Sequence, residues 1–131
     1  MRLLLDTHIV LWRLTADARL PKRALQIMDA DALSIDVSAV SIWEVAIKWA
    51  LRKTRPDDVP LSGRDFLKEL EQALIAPMPI LPIHTAAVDD LPMLHGDPFD
   101  RLLIATAQHE GMTLLTHDAA LAGYGDCVLV V

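Results

Sequence analysis

Two short apolar runs constrain this chain most, because each stops at an aspartate and passes straight into a helical pattern: RLLLD at residues 2–6 and LLTHD at 114–118. A few apolar residues giving way at once to 3.6-residue periodicity read as a buried strand feeding a helix. Strands are expected at Arg2–Leu5, Leu33–Val37, Met112–Thr116 and Cys127–Val131. Ile80–Ile83 is a further short candidate, better at an edge because Pro82 cannot donate to a ladder. Helical patterns fill the gaps: Thr7–Leu14, Pro21–Met28, a helix from Ser38 or Ser41 to Lys53, one from Ser62 that ends before Pro77, and Thr85–Leu91. The best-signed helix is HGDPFDRLLIATAQHEG, with Asp97 as N-cap, Pro98 at N1 and Gly111 past the end. TRPDDVPLSG breaks the pattern and is expected to be a mobile loop. Alternation of this kind implies an α/β fold, with helices on both faces of a mostly parallel sheet.

At 131 residues, 53% of them hydrophobic, the chain suits a single domain spanning residues 1–131 with a substantial core. Cys127 is the sole cysteine, which excludes an internal disulfide and a thiolate metal cluster and points to a reducing compartment, the cytoplasm by default. Asp6 and His8 interrupt the N-terminal apolar run before it forms a signal peptide's hydrophobic region, and no stretch is long enough to span a bilayer. A formal charge of −6 argues against coating nucleic acid by net attraction. It leaves room for a local basic strip of Lys48, Arg52, Lys53 and Arg55, which equally reads as a solvated helix end.

Taken singly, each acid has a structural explanation. Asp6 and Asp118 suit caps of the helical segments that follow them. Glu44 fits a capping box with Ser41 and an i,i+4 surface pair with Lys48, although its apolar neighbours place it near the core margin, where a carboxylate needs a partner. Asp97 fits its N-cap role so well that it needs no other. Asp100, at the third position of the same helix, has a favourable dipole and also reaches across the mouth of the sheet.

Taken together, Asp6, Glu44, Asp100 and Asp118 fall at strand C-terminal ends and helix N-terminal ends. In an open parallel sheet these share one edge, where ligands bind at the strand-order switch. Carboxylates gathered there repel one another unless a cation sits among them. Oxygen-only ligation selects a hard cation, Mg²⁺ or Mn²⁺ rather than zinc, and favours phosphodiester hydrolysis by a metal-activated water. His8, His95 and His117 stand close to these acids but lack zinc spacing, so supporting or surface roles are expected. Trp12, Trp43 and Trp49 read as core or subunit interface.

LLLDTH, SIWEVAIK, DPFDRLLIATA and LLTHDAAL, in that order across the whole chain, resemble the PIN domain family, and more narrowly the VapC-type toxins of bacterial toxin–antitoxin pairs. The resemblance implies a three-layer α/β/α sandwich and a Mg²⁺- or Mn²⁺-dependent endoribonuclease with Asp6, Glu44, Asp100 and Asp118 as its catalytic and metal-binding residues. It also implies an RNA substrate, a cognate antitoxin whose C-terminal segment covers the acidic pocket, and a homodimer. Asp97 matches the acid before the proline of the DPFDR motif, and Arg101 follows the catalytic-type acid, where contact with phosphate or with a carboxylate is open.

Two rival readings remain. An aspartyl-phosphate phosphotransferase needs a second acid two residues after the nucleophile, and His8 stands there. A catalytically silent module would use the same acids as helix caps and as a dock for a basic peptide. A phosphate-cradling loop is disfavoured, since no glycine-rich turn follows the first strand.

Overall fold

The structure, a computed structural model, describes residues Met1–Val131. Four short strands form one sheet: β1 (Arg2–Leu5), β2 (Ser34–Asp36), β3 (Thr113–Thr116) and β4 (Val128–Val130). Their order is β2-β1-β3-β4 and every neighbouring pair is parallel. Leu4 of β1 aligns with Asp36 on one side and Leu114 on the other. The chain thus leaves β1 toward one neighbour and later returns to its opposite side, which makes the gap between β1 and β3 the strand-order switch.

Successive side chains alternate between the faces, so the sheet has two cores. Leu3, Leu5 and Leu115 pack with Ile9 and Val10 of α1 (Thr7–Leu14), Ala24 of α2 (Lys22–Gln26), Val45 of α3 (Ala39–Ala50), and Phe66 and Leu70 of α4 (Gly63–Gln72). Leu4 and Leu114 face the other way, onto Leu103, Ile104 and Ala107 of α6 (Pro98–Glu110) and Leu121 of the 3₁₀ turn Ala119–Tyr124. The result is the expected α/β/α sandwich. Gly63 is required where α4 meets α3, because a Cβ there would lie 2.7 Å from the Cβ of Ala46. Gly111 ends α6 at φ 66, the left-handed cap that glycine adopts freely.

Some expectations need correction. Ile80–Ile83 is not a strand. Pro82, with no N–H to give a ladder, occupies the first turn of α5 (Pro82–Ala86), which runs on as a 3₁₀ turn over Ala87–Asp90. The sheet-like contact of this region is instead at Met78, whose N–H donates to Val37 O at 2.7 Å and whose carbonyl accepts from Ala39 N at 2.9 Å. The helix expected at Thr85–Leu91 therefore begins three residues earlier. Helix α2 widens into a π-helical turn over Ile27–Asp31. Helix α4 ends well before Pro77, because Leu74 turns left-handed at φ 59. Segment 54–62 holds no helix or strand, but it plants Val59 in the core at 3% exposure. No helix is long and apolar enough to cross a membrane.

Candidate active site

The site lies at the C-terminal edge of the sheet, over the switch between β1 and β3. Asp6 leaves the end of β1, where its N–H still donates to Leu115 O at 2.9 Å. Its carboxylate is spoken for on both oxygens: Oδ1 accepts from Thr7 N at 2.7 Å, capping α1, and Oδ2 accepts from Thr116 Oγ1 at 2.6 Å. Burial pushes this carboxyl above its ordinary value, opposed by the hydrogen bonds from Thr116 and Thr7 and reinforced by the charge of Glu44.

Glu44 is buried on α3, whose N-cap is Ser38. The capping-box reading with Ser41 is thus incorrect, since the helix begins at Ala39 and Ser41 lies inside it. Ser41 is instead buried beside the site, with its Oγ 2.8 Å from Thr7 Oγ1. Thr7 Oγ1 donates to Glu44 Oε1 at 2.8 Å, and Lys48 Nζ donates to Glu44 Oε2 at 2.7 Å. The Glu44–Lys48 pair exists as the spacing suggests, but as a largely buried pair rather than a surface one. Burial, the largest single influence, disfavours the Lys48 ammonium, but the hydrogen bond and charge of Glu44 with the charges of Asp58 and Asp97 together outweigh it and raise its pKa.

Asp97 caps α6 as expected, accepting from Phe99 N at 2.8 Å and Asp100 N at 3.0 Å. Asp100, released from capping, turns its Oδ2 to His95 Nε2 at 2.9 Å. Burial, then the charges of Asp6 and Asp97, push its carboxyl up to about 7, against the His95 hydrogen bond. Asp118 caps the 3₁₀ turn through Ala120 N at 2.9 Å, and its own N–H donates to Thr116 Oγ1 at 3.0 Å. One ligand atom from each of His95, Asp100 and Asp118 lies within 4.8 Å of the others. Asp6 and Asp118 line one small opening with His8, Trp12 and His117.

All four acids singled out in the sequence therefore meet at one edge, in two halves: an inner Asp6–Thr7–Glu44 chain and an outer group of Asp100 and Asp118. His95, placed in a supporting or surface role from sequence, belongs to the outer donor group, and its position just before the Asp97 cap was the available signal. The buried hydroxyls of Thr7, Ser41 and Thr116 were missed, although two of them flank the key aspartates in LLLDT and LLTHD. Arg101 touches no carboxylate. It donates to Pro92 O at 2.9 Å and Tyr124 Oη at 3.1 Å, so it pins the 3₁₀ turn and the Pro92 loop to α6. Of the basic strip, Lys48 alone turns inward; Arg52 lies over the Trp49 ring and donates to its carbonyl, as a helix-end cation would.

This donor set fits a hard divalent cation. Its atoms are mainly carboxylate oxygens, and Asp100, held up at about 7 first by burial and then by the charges of Asp6 and Asp97, sits where positive charge would favour its ionised form.

Comparison with known proteins speaks to the family and the fold. Residues 3–126 match the family model described as PIN domain. Ribonuclease VapC22 of Mycobacterium tuberculosis is 32% identical over 123 residues, covering 92% of this chain and 90% of that protein. Among solved structures, VapBC2 from Rickettsia felis bound to a DNA fragment superposes with a TM-score of 0.67 at 14% identity, over 100% of this chain and 98% of that one. FitAcB from Neisseria gonorrhoeae follows with a TM-score of 0.61 at 20% identity, over 90% and 88%. At those identities the two structures speak to the fold, whereas the family match and the mycobacterial relative speak to descent: the chain belongs to the PIN domain family.

Proposed function

We propose that this chain is a metal-dependent endoribonuclease, the toxin of a type II toxin–antitoxin pair, acting as one nuclease domain over residues 1–131. The observation that carries the reading is the meeting of Asp6, Glu44, Asp100 and Asp118 at the strand-order switch, with Asp100 held up at about 7. The name of the mycobacterial relative, a ribonuclease, supports the reaction class, and the VapBC2 assembly supports an antitoxin partner.

In this reading Asp6, Glu44, Asp100 and Asp118 hold Mg²⁺ or Mn²⁺, with His95 beside them. When bound, the cation supplies a lowered water pKa and positive charge beside the phosphate oxygens. The chain's own residues do the positioning. Thr116 and Thr7 fix both oxygens of Asp6, Thr7 and Lys48 fix Glu44, and His95 aims Asp100. Lys48 also neutralises the inner carboxylate while the outer ones remain available. An RNA substrate, a homodimer and a cytoplasmic location belong to the same proposal.

The silent-module alternative accounts for Asp6 and Asp118, which do cap, but not for Asp100, which caps nothing and sits beside Asp6 and Glu44 at an electrostatic cost. The phosphotransferase alternative fares worse, since His8 stands where the second acid belongs. The test is cleavage of single-stranded RNA by the purified chain with Mg²⁺ or Mn²⁺, against EDTA and against Asp6→Asn. Discrete cuts that need metal and Asp6 are expected. Metal-independent cuts, or equal activity in Asp6→Asn, would overturn the reading.

A further inference from the structure

The largest cavity is a groove of about 680 Å³ that adjoins the opening at Asp6 and Asp118, with His8 and Trp12 lining both. Its volume lies within the roughly 300–1,000 Å³ of typical small-molecule sites. One wall is a stripe of α1, in which His8, Leu11, Trp12 and Thr15 recur at i, i+3, i+4 and i+7. The other wall comes from segment 56–60, held in place by buried Val59.

Trp12 is the centre of an aromatic and cationic cluster on this path. Its ring sits 5.5 Å from His117 at 69°, edge to face, and 5.9 Å from His8 at 53°. The Arg19 guanidinium lies 5.4 Å from its centroid and is held there by Asp17, through Nε at 3.1 Å and Nη2 at 2.8 Å. Trp12 packs against the core, as the sequence suggests, and stays half-buried, so that part of it lines the groove.

The charges say what the groove takes. Its two cations are both engaged, Arg19 with Asp17 and Lys48 with Glu44; on the far wall Asp58 has Arg55 at 4.0 Å, whereas Asp57 faces the groove without an ion pair. Such a lining repels a run of phosphates. It suits a planar ring that stacks on Trp12 and turns N–H donors to carboxylates, which can only accept.

Resting on the nuclease reading above, we infer that this groove is a nucleobase subsite for the residue flanking the scissile phosphate, selecting bases with an exocyclic amino group. Adenine, cytosine and guanine offer that donor. Uracil has no exocyclic amino group, and its single donor, N3–H, is flanked by two carbonyl oxygens whose lone pairs would face Asp57 or Asp58.

The experiment pairs cleavage with binding. A randomised single-stranded RNA pool is cut in Mn²⁺ and the product ends sequenced, while fluorescein-labelled rA, rC and rU heptamers are bound to the intact protein in EDTA. The wild type is expected to disfavour uridine at one position beside the cut and to bind rA and rC more tightly than rU. Trp12→Ala is expected to lose about ten- to a hundredfold in affinity, as removal of a base-stacking aromatic does, with the loss in KM rather than kcat, and Trp12→Phe to recover much of it. Asp57→Asn with Asp58→Asn is expected to admit uridine at that position and to bring rU binding closer to that of rA and rC. Should the double variant keep the wild-type preference, or the wild type show none, the subsite is overturned while the nuclease stands. Should the wild type bind selectively yet cut nothing, the nuclease reading fails, and with it the place of the groove beside a scissile phosphate, while its selection among bases stands. Equal binding of all three heptamers would overturn the subsite whatever the cleavage result.

Discussion

The hydroxyl of Thr116 donates to Asp6 at 2.6 Å, across 110 residues of sequence, while receiving the backbone N–H of Asp118 at 3.0 Å. One side chain at the end of β3 thereby fixes the carboxylate at the end of β1 and the direction in which the Asp118 turn departs. Thr116 is fully buried, so no water substitutes for it.

Thr116→Val keeps the shape and removes the donor. The Asp6 carboxyl, already pushed up by burial, then loses the larger of the influences holding it down. A drop of about ten- to a hundredfold in metal affinity or activity is expected, the usual size for a residue orienting a ligand. Loss of a buried bond to a charged group costs about 1.5–3 kcal/mol, visible as a lower Tm. Unchanged Mn²⁺ affinity by calorimetry would show that Asp6 needs no such orientation.

The raised Asp100 carboxyl gives a pH dependence of definite sign. Between its ordinary 3.8 and about 7 the folded, metal-free protein binds a proton that the unfolded chain does not. Stability therefore falls as pH rises through that interval, and Asp6, also raised, adds in the same direction. Glu110, lowered by His84, acts oppositely but only below its ordinary 4.5. Metal-free Tm is expected to decline from pH 5 to pH 8, and the decline to flatten in Asp100→Asn. Saturating Mn²⁺ should reverse it, because the cation needs the carboxylates ionised. A slope that persists unchanged in Asp100→Asn would place its origin elsewhere.

Much of this was legible in the sequence, and the limits are physical. All four main strands and the α6 caps were readable because a strand's apolar run and a helix's Asp-Pro start are local signals. The meeting of the acids followed from topology, since β1 and β3 both end at the switch. Ile80–Ile83 misled because an apolar quartet has no period of its own, and Pro82 decided for a helix start. The choice of Ser38 over Ser41 as cap depended on Ser41 being drawn inward to Thr7, a contact 34 residues away that no spacing rule reveals. Arg101 was ambiguous for the same reason: its partners, Pro92 and Tyr124, are set by how the loops fold over α6.

Arg101 accordingly behaves as a clamp and not as a phosphate contact. Arg101→Met should lower Tm, since it leaves the Tyr124 hydroxyl and the Pro92 carbonyl without that donor at a largely buried position. The surviving folded fraction should retain its kcat and its salt dependence of RNA binding. A loss of salt dependence by about one phosphate's worth would return Arg101 to the substrate.

Lys48 competes with any cation for Glu44, because it occupies Oε2 while Thr7 occupies Oε1. Lys48→Met removes the charge but keeps the aliphatic stem, leaving Glu44 buried with one neutral donor. Breaking a buried pair from one side is costly, though Lys48 is 25% exposed and the cost is correspondingly reduced, to about 1–3 kcal/mol. The metal-free protein should melt lower. A divalent ion then restores the missing charge, so the Tm gain on adding Mn²⁺ should exceed the wild type's and Mn²⁺ should bind more tightly. Glu44→Gln makes the opposite prediction for the metal: it too lowers the metal-free Tm, because Lys48 loses its charged partner, but it weakens Mn²⁺. If both variants shift metal affinity in the same direction, Lys48 and the cation do not share Glu44.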